Sequence, residues 1–315
     1  AAEQAGDAPE ADAEANEGTD LDDDEGGDGE GGSGVSFGVG VSWVRLGGVV
    51  DAVVDLNDAG SFDVNGALRV KATSTARAMT ASVGAQFLGT AIGAGGAITR
   101  QAQLVRSRIT GDGSVQAGLV DLSGLSDNKI WSIAGVLSLT DGFAFGATLG
   151  LAEMNARTQA LIEGRAQVSG GSGGVRVAAR DDTRGIAVGI AAAASVGRSA
   201  VGAAGGIIIS RSAVDAYVRG SASVDSDRDI LIAANRSQEL AATATQLSFA
   251  SGVGVGGAFS LAHDRGVTNA ALDLATLQSE GDSAIRANNN TKVVSGAVGV
   301  SGGGTAGVAG SVALS

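Results

Sequence analysis

"SFASGVGVGGAFSLAHD", residues 248–264, alternates large and tiny side chains over most of its length. Odd positions from Phe249 to Leu261 read Phe, Ser, Val, Val, Gly, Phe, Leu. Even positions from Ser248 to Ala262 read Ser, Ala, Gly, Gly, Gly, Ala, Ser, Ala. A period of two is the period of a β-strand, in which successive side chains point to opposite faces. "VSFGVGVSWV" follows the same grammar, with Val35, Phe37, Val39, Val41 and Trp43 on one face. "FAFGATLGLA" repeats it with Phe143, Phe145, Leu149 and Leu151. The pattern weakens in "VGAAGGIIIS", where Ile207, Ile208 and Ile209 fall on both faces, as burial on both sides would require.

These runs recur. The glycines that close them are Gly40, Gly96, Gly150, Gly206, Gly257 and Gly310, at intervals of 56, 54, 56, 51 and 53 residues. Periods of this size belong to solenoids, propellers or tandem arrays. Each unit then runs through a polar turn such as "HDRG" or "NART", a short apolar strand, a second turn such as "DSDRD" or "SEGDS", and a further strand such as "DILIAA". The second unit holds the extra stretch "QAGLVDLSGLSDN", which reads as a surface insertion.

Glycine weakens an ordinary strand, so 52 of them need a compensating reason. Stacking supplies one. In a parallel β-solenoid each strand pairs with its equivalents above and below, and the backbone is satisfied whatever the side chain. The tiny face then becomes a close-packing face, and the bulky face is expected to fill a thin core. The fold expected is therefore all-β: a parallel β-solenoid of about five repeats over residues 35–315, about 54 residues each, following an acidic disordered segment. One wide coil per repeat accommodates the long strand, two coils of about 27 residues are the alternative, and right-handed crossovers are the rule for parallel strands.

Residues 1–34 hold 13 acids and no bases, whereas the remainder holds 21 of each, so the whole formal charge of −13 belongs to the first segment. Low complexity and like charge make that segment a disordered tether or insert. The alternative is calcium binding by Asp20, Asp22, Asp23, Asp24, Asp28 and Glu30, although EF-hand spacing is missing. "DSDRD" supplies a second candidate set in Asp225, Asp227 and Asp229, at alternate positions of an extended chain. No other cofactor is implied. A neutral body argues against nucleic acid, which needs clustered bases. No Gly-poor apolar run of about 20 residues occurs, so no membrane-spanning helix is expected. The start lacks Met, a basic n-region and an apolar h-region, so residue 1 is expected to be a processed end or a point inside a longer chain.

The units "GVGVGGAFSLAHD", "VGAAGGIIISRSAVDAYVRGSASVDSDRDILIAA" and "FGATLGLAEMNARTQALIEGRAQVSGGSGGVRVAA" resemble the filamentous adhesins and large leukotoxin-like surface proteins of bacteria, exported by autotransporter or two-partner routes. The likeness covers roughly residues 34–315 and is one of repeat grammar. It implies a non-catalytic adhesin stalk or extracellular fibre at the cell surface, serving adhesion, cell–cell contact or matrix. Its partners would be neighbouring coils of a longer chain, other copies end to end, or a cell-surface or glycan ligand.

Chemistry is sparse. His263 is the only histidine, and with no cysteine a zinc site is not assembled. A Ser–His–Asp reading would pair it with Asp264, but no nucleophile elbow accompanies it. A polysaccharide-lyase reading would recruit Arg180, Asp181, Asp182 and Arg184 from "ARDDTRG", with sugar-stacking aromatics limited to Trp43, Trp131 and Tyr217 in different units. An ice-binding reading would use the threonines of "ATSTA" and "AATATQ", but "DDTRGIAVG" and "NNNTKVVSG" interrupt any ladder. An outer-membrane β-barrel also alternates, yet it calls for aromatic girdles, and the ten aromatics look scattered along the sequence.

Overall fold

The computed structural model describes residues 34–57, 60–87 and 89–315. The acidic stretch 1–33, with Asp22, Asp23 and Asp24, lies outside them. Strand accounts for 86% of the described residues, and no helix occurs among them.

The chain alternates between two sheets. The first contains β1 (Val35–Leu56), β3 (Thr90–Gly111), β5 (Phe143–Ile162), β8 (Ser199–Ser210), β12 (Val253–Asp264) and β16 (Ala306–Leu314) in that spatial order, with β9 (Ala213–Arg219) and β13 (Val267–Asp273) extending its later rows. The second contains β2 (Ser61–Phe87), β4 (Ser114–Thr140), β7 (Val175–Ser195), β11 (Ile230–Ala250) and β15 (Ser283–Gly303), with the short β6 (Gln167–Gly170), β10 (Ser223–Ser226) and β14 (Thr276–Ser279) beside them.

All recorded pairs are parallel, and each strand pairs with its counterpart one repeat away. Val35 faces Thr90, Ala91 faces Ala144, Phe143 faces Ser199, Ser199 faces Val253, and Val253 faces Ala306, so the intervals run from 53 to 56 residues. Strands half that far apart lie in opposite sheets. The stretch 116–128 is no insertion. It lies within β4, with Val120 and Leu122 fully buried, because its own alternation continues the strand. "NART" likewise stays inside β5, whereas "HDRG" does break the chain between β12 and β13.

The sheets pack face to face, and their shared interior changes along the strands. At one end it is aliphatic, with Ile109, Val120, Leu122, Val177, Val218, Ile230 and Ile232 in one buried cluster. At the other end it is Ala, Gly and Ser. There Ser132 Oγ donates to Ala97 O at 2.6 Å, Ser138 Oγ to Phe145 O at 2.8 Å, and Ser248 Oγ to Ala200 O at 2.7 Å. A serine spanning the whole gap means the sheets lie closer than the usual ~10 Å. The tiny face is thus the close-packing face, as the alternation predicts. The bulky face departs from expectation: at this narrow end it points outward. Phe37 is 71% exposed and Val83 81%, and even mid-sheet Leu149 and Phe249 remain 41% and 49% exposed. The gap is thin enough that the larger side chains that do enter it, Gln86, Val136 and Gln246, lie against glycines such as Gly93, Gly202 and Gly256.

Candidate functional site

Between the aliphatic and the narrow ends, inward positions carry polar groups. Strict alternation on β11 puts Arg236 and Gln238 on the same face as Ile230, Ile232 and Leu240, and all five are buried. The same parity on β7 turns Asp181 and Thr183 inward, and on β4 Ser126 and Asn128. These rows are in register, Asn128 with Thr183 and Thr183 with Gln238, so they form a polar column running from pass to pass.

Arg236 is the largest fully buried side chain. Its guanidinium crosses to the opposite sheet, where it grips both carboxylate oxygens of Asp264, with Nη1 to Oδ2 at 2.9 Å and Nη2 to Oδ1. Nη1 also donates to Asn289 Oδ1 at 3.1 Å and Thr291 Oγ1 at 3.3 Å on the next strand. Gly266 leaves the room the fork needs, since a Cβ there would collide with it. Burial pushes the Asp264 carboxyl up, but the Arg236 hydrogen bonds and charge and the Gly266 N–H outweigh it, so the net shift is downward.

Asp181 has softer company. Thr183 Oγ1 donates to it at 3.0 Å, Asn128 Nδ2 at 3.4 Å and Gln238 Nε2 at 3.5 Å. Desolvation dominates and pushes its carboxyl up to about 6, against hydrogen bonding from Thr183, Gln238 and Ser126 and the charge of Arg236. A carboxyl raised on folding contributes stability below its unfolded value of 3.8, and that contribution is lost as pH rises through about 6. Raising the pH from 4 to 7 should therefore weaken the fold by about 2 kcal/mol through this group. Asp181→Asn should flatten the dependence in that window, as urea titrations at several pH values will read.

The outer face of the second sheet carries a shallow groove of about 750 Å³ beside the polar column. Arg69, Lys71, Arg176 and Arg180 line it against two acids, Asp121 and Asp182, with Asn235 and Asn288, which are paired in register on β11 and β15. Bases and amides on an extended strand surface suit an anionic or hydroxyl-rich ligand.

The residues singled out from sequence are dispersed. Alternation sends Asp181 inward and Arg180, Asp182 and Arg184 outward, where Arg180 pairs with Asp182 at 2.8 Å and Arg184 with Glu239 at 2.8 Å. The sheet therefore separates Asp181 from the other three, and Asp182, the acid that shares the outer face with the two arginines, is already paired with Arg180. His263 faces outward and accepts from Arg265 Nε at 2.7 Å, while its neighbour Asp264 turns inward to Arg236. Of the calcium candidates, Asp225 accepts from the N–H of Ser226, Asp229 Oδ1 accepts from the N–H of Asp282, and Asp227 follows the end of β10. Among the described residues no three such side chains gather where one ion would bind. Arg236 is the residue that sequence reading passed over, although its parity with Ile232 and Leu240 marked it as inward. No protein-family model, curated protein or solved structure matches the chain.

Proposed function

We propose that residues 35–315 are a segment of an elongated parallel β-solenoid, one wide coil per repeat, serving as a non-catalytic stalk or fibre of a secreted bacterial surface protein. One observation carries this reading: long strands pair in parallel with their counterparts at intervals of 53–56 residues, in both sheets. Such an arrangement adds length by adding repeats, each contacting only its neighbours. β1 and β16 end the first sheet, and the terminal strands offer backbone groups that a further coil or another copy would pair. Exposed ion pairs bind successive passes. Glu153 lies between Arg100 at 3.3 Å and Arg211 at 2.9 Å, and Glu163 between Arg108 at 3.6 Å and Arg219 at 2.6 Å. Exposed pairs contribute only ~0–1 kcal/mol each, so they act more on register than on stability. Parallel pairing also speaks against an outer-membrane barrel, whose strands are antiparallel.

Electron microscopy of the purified chain tests this. End-to-end rods with a layer line near 4.8 Å along their axis are expected. Compact, strictly monomeric particles would overturn it. A second reading, a glycan-dependent adhesive module, is favoured by the basic and amide-lined groove on the second sheet. Binding of acidic oligosaccharides that Arg176→Glu abolishes would support it.

A further inference from the structure

At the narrow end large apolar side chains point outward on both sheets. In the first, Trp43, Ile98, Leu151, Ile207, Leu261 and Leu314 form one row across the strands. In the second, Met79, Trp131, Ile186, Ala241 and Val294 form another. The serine contacts across the interior place these two surfaces back to back on one thin edge.

Three features of this edge point to the same covering. Its uncharged stretch is nine residues on each long strand, apolar on the outward face as at 35–43, 79–87, 131–139 and 253–261, with Thr243 and Thr245 as the polar exceptions on β11. At ~3.3 Å per residue that is about 30 Å, the thickness of bilayer hydrocarbon, and about the length of a strand that crosses it. All ten aromatics except Phe62 and Tyr217 lie in the bands, although they look scattered in the sequence. Both tryptophans sit at the same limit of the bands, one on each face, the position Trp takes where hydrocarbon meets headgroups. Immediately beyond them run charged rows: Arg45, Arg100 and Glu153 on one face, and Arg77, Lys129, Arg184, Glu239 and Lys292 on the other. Both acids in these rows are already held by bases, Glu153 by Arg100 and Arg211, and Glu239 by Arg184 and Lys292.

We propose that this edge inserts into a bilayer containing anionic phospholipid. Hydrocarbon covers the two bands, and headgroup phosphates meet the basic rows. Internal strands satisfy their backbone through neighbours on both sides, as hydrocarbon demands. Terminal strands need the next coil, and for that the proposal rests on the solenoid reading above. A second copy stacked in the same orientation would set basic rows against each other, whereas an anionic surface neutralises them. The described residues hold no helix long and apolar enough to cross a membrane. The insertion belongs to strands.

Vesicle flotation of the full chain tests it, with phosphatidylcholine containing about one-third phosphatidylglycerol against phosphatidylcholine alone. The chain should float with the anionic vesicles, and brominated lipid should quench its tryptophans. Leu149→Asp with Phe259→Asp, both outward-facing, should lower partitioning at least about tenfold while the circular dichroism stays unchanged. Arg77→Glu with Lys129→Glu should remove the preference for phosphatidylglycerol. No flotation, flotation insensitive to the aspartates, or lipid-free lateral oligomers that shield both tryptophans from acrylamide would each overturn the proposal. Rods with the 4.8 Å layer line that fail to float sink the insertion and leave the stalk standing, whereas compact particles overturn the stalk and, with it, the coil that would cover the terminal strands in hydrocarbon.

Discussion

Replacing Arg236 by alanine should destabilise the fold by about 3–5 kcal/mol, read as a lower urea midpoint. The side chain has no solvent exposure and Asp264 only 13%, so removing the cation leaves a carboxylate in the interior with no counter-charge. Asn289 Oδ1 and Gln238 Oε1 lose a donor in the same step. The cost is that of desolvated groups left unpaired, which exceeds the net worth of the intact pair. Removing both partners, Arg236→Met with Asp264→Leu, should therefore cost less than Arg236→Ala alone. Arg236→Lys should fall between, because an ammonium keeps the charge but cannot match the two-oxygen grip of the fork. By contrast, Arg184→Ala, which removes the exposed partner of Glu239, should leave the urea midpoint nearly unchanged. A loss that small at Arg236 would mean that water reaches the pair and that the column does not fasten the two sheets.

The period of two carried most of the fold. It marked the strands, the repeat and the tiny close-packing face, and it marked Arg236 and Asp181 as inward residues once they are counted with Ile232 and Val177 on their own strands. What alternation does not give is which of its two faces is inside. At the aliphatic end Val177 and Ile230 point in. At the narrow end Gly and Ala point in, and Phe and Val point out. The choice depends on how far apart the facing sheet lies, a distance set by residues some tens of positions away. Turns were less legible, since "NART" and "DSDRD" have similar turn chemistry yet the first remains extended within β5 and only the second ends a strand. Sites were least legible. The run "ARDDTRG" looks like a cluster in one dimension, but a pleated strand sends its neighbours to opposite faces.

Gly254→Val should cost about 3 kcal/mol, and Gly206→Val more, while the same substitution at Gly296 should change stability by no more than about 0.5 kcal/mol. At Gly254 a Cβ would strike the carbonyl of Gly302 on the facing sheet, with Ser248 O at 3.2 Å. At Gly206 it would meet Thr243 O, with Ala187 O at 3.1 Å, in mid-sheet where backbone is held on both sides. Backbone cannot swing aside as a side chain can, so relief requires the sheets to part and to give up the serine contacts that bridge them. At Gly296 nothing lies within 4 Å of the added atom, and a β-branched residue suits a strand. All three positions are glycines in Gly-rich strands of the same repeat grammar, so composition and propensity predict the same outcome for each. Only the thinness of the interior separates them. Equal tolerance at Gly206 and Gly296, in matched urea titrations, would mean that the sheets are not held at serine distance, and with it would go the reason the large side chains face outward.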